Sequence, residues 1–67
     1  MKSVIKVYNI NSTDDVNKIR SVVAGNQGVI ACQISMEKGE VNVVYDNYFL
    51  TVDKIVEAIE DIGYTVL

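Results

Sequence analysis

Between Ser3 and Tyr8, Ile5 and Val7 alternate with Val4, Lys6 and Tyr8, the period-two pattern of a strand with one covered face. Ser12, Thr13, Asp14 and Asp15 then break the alternation with side chains that favour helix starts. Val16, Ile19, Val22 and Val23 follow at helical spacing, which predicts a first helix from about Thr13 to Ala24, stopped by Gly25-Asn26-Gln27-Gly28. A second apolar run, Val29 to Met36, sets Cys32, Ile34 and Met36 in alternation, and Val41, Val43 and Tyr45 repeat the pattern. Glu37-Lys38-Gly39-Glu40 between the two runs reads as the turn of a hairpin. Thr51 stands as a helix cap before the stripe Val52, Ile55, Val56, Ile59 and Ile62, which ends at Gly63, the expected left-handed position after a helix. Tyr64 to Leu67 leaves room for one short last strand.

The predicted order is therefore strand, helix, strand, strand, helix, strand. Placing both helices on one face of a four-stranded antiparallel sheet is the economical way to bury both helical stripes. The expected fold is α+β, a ferredoxin-like βαββαβ sandwich, over a single domain of residues 1–67. No linker, low-complexity tract or tandem repeat divides the chain.

Composition restricts what such a domain can do. A chain of 67 residues buries only about 60% of the surface its unfolded form exposes, so nearly every apolar side chain is needed for the core. Its single cysteine cannot close an internal disulfide, which leaves packing to supply a stability of about 3–5 kcal/mol. Lys2 and Lys6 interrupt the amino-terminal apolar residues, so neither a signal peptide nor membrane insertion is expected, and the expected compartment is the cytoplasm. The net charge of −3 has the wrong sign for a nucleic-acid binder, which relies on cations to displace phosphate counterions. The absence of histidine removes the commonest general base and metal ligand, and no nucleophile stands paired with a base, so no enzyme is expected.

Several residues together carry a likeness to a known family. Val7 and Ile10 near the end of the first strand, Ile19 and Val23 in the first helix, and Gly28-Val29 before the second strand share its pattern. So do Ile34 to Met36, Lys38-Gly39, Val43 and Tyr45-Asp46, and the ending Ile55-Val-Glu-Ala-Ile-Glu-Asp-Ile-Gly-Tyr64. Across about 60 positions the chain resembles the heavy-metal-associated domain, the family of small copper chaperones and of the amino-terminal modules of metal-pumping ATPases. The resemblance implies the same sandwich fold and a Met-x-Cys-x-x-Cys loop at the end of strand one that holds a soft cation such as Cu(I). The matching positions here are Ile10, Asn11, Ser12, Thr13, Asp14 and Asp15, so both thiols are missing.

A serine hydroxyl is un-ionised at neutral pH and a carboxylate is a hard ligand, so Ser12 and Asp15 do not replace two thiolates for a soft metal. Ser12-x-x-Asp15 instead has the spacing of a capping box, and Asp14 and Asp15 fall at the positive end of the helix dipole. A hard-cation site built on Ser12, Asp14 and Asp15 would fall short of the six to eight oxygens that calcium takes. Cys32 alternates with Ile34 and Met36 and is expected on the core face as a small apolar residue, its pKa raised by burial. As a metal ligand it would need a second chain. The family resemblance implies that Tyr64, of the Gly-Tyr pair, lies beside the metal loop; with no thiolates there, it is expected to close the top of the core with its hydroxyl in water. Met1 and Met36 build no site, Met36 fitting the core pattern.

The outer sheet face is expected to carry Val4, Lys6, Tyr8, Asn42 and Val44, a partly apolar surface suited to a protein partner or a homodimer. The leading expectation is a degenerate copper-chaperone-like domain that keeps the fold, has no metal cofactor, and serves as an interaction or regulatory module near metal transport. Two other readings stand beside it. One is a heavy-metal chaperone that holds Cu or Zn through Cys32, through the Ser12 to Asp15 loop, or across a dimer. The other is a metal-independent ligand-sensing or structural module of the same topology.

Overall fold

The computed structural model describes all residues from Met1 to Leu67. Strand β1 (Lys2–Tyr8) leads through Asn9 to Ser12 into helix α1 (Thr13–Ala24), and β2 (Val29–Ser35) and β3 (Glu40–Tyr45) form the hairpin. Helix α2 (Val52–Asp61) precedes the two-residue strand β4 (Thr65–Val66). The four strands run antiparallel in the order β2-β3-β1-β4. The predicted βαββαβ sandwich is the observed fold.

Parity in the register decides which side chains reach the helices. Ser3 pairs with Val43 and Ile5 with Val41, and Ile5, Val7, Val41, Val43 and Tyr45 are all buried. Ile19 and Val23 of α1 and Ile55 and Ile59 of α2 close over them, with Ile10 and Leu50 sealing the core from the loops. The opposite parity faces outward as expected: Val4 and Tyr8 are exposed, and Lys6 forms a 3.0 Å ion pair with Glu40 across the β1–β3 register. Gly63 follows α2 with φ +98, the left-handed conformation that ends the helix at negligible steric cost because glycine has no Cβ.

Two expectations about the hairpin change. Strand β2 stops at Ser35, so Met36 enters the turn and is 44% exposed instead of joining the core. Cys32 does lie toward the helices, packed against the core, but β2 is the edge of the sheet and the thiol is only half-buried. Alternation fixes the face of a residue; strand order fixes how completely that face is covered.

Candidate functional site

The loop between β1 and α1, Asn9 to Ser12 with the first turn of α1, holds the positions that the sequence resemblance pointed to. Asn9 turns the chain out of β1 with φ 74, a left-handed conformation that asparagine tolerates better than other non-glycine residues. Ile10 then drops into the core, and Ser12 adopts extended backbone as the residue capping α1. Its Oγ accepts the backbone N–H of Asp15 at 3.2 Å, satisfying one of the free donors of the first helical turn. Such a cap contributes about 1 kcal/mol. Asp15 reaches back in turn: its Oδ2 accepts the N–H of Asn11 at 3.0 Å. The reciprocal pattern is that of the expected capping box, displaced by one residue because the return bond lands on Asn11 instead of on Ser12.

The other oxygen of Asp15 is also engaged. Tyr64, the residue just before β4, donates its hydroxyl hydrogen to Asp15 Oδ1 across 49 positions of sequence. The phenol is therefore held by the loop and not free in water, a correction to the sequence reading. Closure of the sheet explains the contact. Tyr8 pairs with Thr65, which brings the segment after α2 alongside the end of β1, where α1 begins.

The electrostatics follow from these bonds. The hydroxyl of Tyr64 and the amide of Asn11 stabilise the charged carboxylate and hold the Asp15 pKa below its ordinary value, against a smaller opposing effect of burial. The same bond to Asp15, aided by desolvation and by the negative charges of Asp15 and Asp14, pushes the Tyr64 pKa up to about 12. The contribution of Asp15 to stability is thus present above the ordinary carboxylate range and lost as pH falls through its lowered value. That of Tyr64 is present below the ordinary phenol value of 10.0 and lost as pH rises through about 12. We expect Asp15→Asn to bring the titration of the Tyr64 ring, followed by NMR, down toward 10.0. An unchanged midpoint would show that the carboxylate does not hold the phenol.

The remaining sequence candidates do not converge on this loop. Asp14 is exposed and lies 3.7 Å from Lys18, one helical turn on. It lines a shallow groove of about 390 Å³ with Asn17, Lys18, Ser21, Val22 and Ile62. Cys32 sits on β2; burial raises its pKa and the positive charge of Arg20 partly opposes the rise. No three Cys, Asp or Glu side chains come together as a set able to hold a metal ion. Tyr64 is the functional-loop contact that residue-by-residue reasoning missed, although the family resemblance had placed it beside the loop.

Comparison with known proteins gives a consistent picture. The Heavy-metal-associated domain profile matches residues 4–65. The copper chaperone CopZ of Staphylococcus haemolyticus (strain JCSC1435) is 33% identical over 66 residues, covering 98% of this chain and 97% of that protein. Among solved structures, a CopZ metallochaperone superposes with a TM-score of 0.97 at 27% identity over the whole of both chains. Apo-CopP from Helicobacter pylori gives a TM-score of 0.89 at 36% identity, again over the whole of both chains.

Proposed function

Because the chain belongs to the heavy-metal-associated domain family, we propose that it is a copper-chaperone-like domain whose metal loop has become a helix cap. It is not an enzyme. In this reading it does not carry Cu(I) or Zn(II) in the family's manner, and it acts as an interaction or regulatory module near metal transport in the cytoplasm. The observation that carries the reading is the occupation of the two ligand positions. Ser12 Oγ is committed to the Asp15 amide, and both oxygens of Asp15 are committed, to the Asn11 amide and the Tyr64 hydroxyl.

The chemistry of the donors supports the same conclusion. A soft monovalent cation gains most from polarizable thiolates, whereas a hydroxyl and a carboxylate offer hard oxygens already stabilised by hydrogen bonds. Recruiting Asp15 to a metal would break the bond that lowers its pKa and would release Tyr64 from the loop. The named relatives are copper chaperones, which supports a place beside metal-transport proteins. A protein of that class is therefore the proposed partner, and the groove from Asp14 to Ile62 beside the loop offers a surface for it.

The test is competition for Cu(I) under reducing conditions against a chelator of moderate affinity, read by native mass spectrometry. The protein is expected to emerge without copper. Stoichiometric copper that disappears in Cys32→Ala would overturn the proposal in favour of a chaperone using Cys32, and copper retained by that variant would overturn it in favour of the oxygen loop.

A further inference from the structure

We draw no further inference here: the strongest candidate, the exposed apolar patch that Tyr48 and Phe49 of the loop between β3 and α2 form beside Gly28 and the start of β2, carries nothing because nothing in the structure shows what covers it.

Discussion

Replacing Ser12 and Asp15 together by cysteine is expected to give a variant that takes a stoichiometric Cu(I) ion from a competing chelator, where the wild type is expected to take none. The two positions lie one turn apart at the start of α1, with Ser12 Oγ 3.2 Å from the Asp15 amide. Two thiols placed there stand at a helix amino terminus, where the helix dipole and free N–H groups favour the thiolate. Two thiolates are the ligands a soft monovalent metal selects. Ser12→Cys removes a cap of about 1 kcal/mol, and Asp15→Cys removes the acceptor of the Asn11 and Tyr64 bonds. The apo double variant should accordingly melt below the wild type. Copper binds only the folded loop, so the loaded variant should melt above its own apo form. The measurements are chelator competition and thermal melting of both forms. A folded double variant that fails to retain copper would show that this loop does not have the geometry of the family's metal site.

Ile19→Ala is expected to leave the domain largely unfolded at room temperature. Ile19 is completely buried between α1 and the sheet, in one cluster with Val23, Val41, Val43, Ile55 and Ile59. Removing its outer carbons costs about 2–5 kcal/mol through lost transfer free energy and the cavity left behind. A domain with a stability of about 3–5 kcal/mol, without disulfide or metal, has little to set against that loss. Ile30→Ala, by contrast, truncates a side chain exposed on β2 and should change stability by less than about 0.5 kcal/mol. Urea denaturation followed by circular dichroism of the two variants separates these outcomes. Similar midpoints would mean that the core does not hold the fold in the way its packing indicates.

Most of the fold could be read in the sequence because the local signals agree with one another. Ser12 and Thr51 cap the starts of α1 and α2, Gly25 closes α1 in right-handed backbone, and Gly63 follows α2 in the left-handed conformation, each at the position the sequence signals mark. The order of elements and the need to cover two helical stripes then leave few topologies. Face assignments were legible for the same reason, with Ile5 and Val7 inward and Val4 and Tyr8 outward.

What could not be read depends on distance along the chain. Periodicity predicts the face on which Cys32 lies, but its partial exposure follows from β2 being the sheet edge, which is a property of pairing. Met36 continued the alternation in sequence, yet the ladder ends one residue earlier, where β2 gives way to the turn. Leu50 is buried beside an exposed Phe49 in a segment with no period to distinguish them. The loop itself was half legible. The Ser12 cap is a local bond three residues long, whereas the Tyr64 contact joins residues 49 positions apart and exists only once β4 docks beside β1.

The cap and the phenol together change the meaning of the loop. Missing thiols alone describe a lost site. A carboxylate held by the Asn11 amide and the Tyr64 hydroxyl describes a junction that ties the start of α1 to the end of α2. Family membership establishes the scaffold, and the function of an individual domain rests on the groups at its site.

The most direct measurement is an amide NMR titration of the reduced wild-type protein with up to one equivalent of Cu(I). The signals of the Asn11, Ser12 and Asp15 amides and of the Tyr64 ring are expected to keep their positions throughout, because their hydrogen bonds persist. Saturable one-to-one displacement of those signals would contradict this expectation and identify the loop as a metal site.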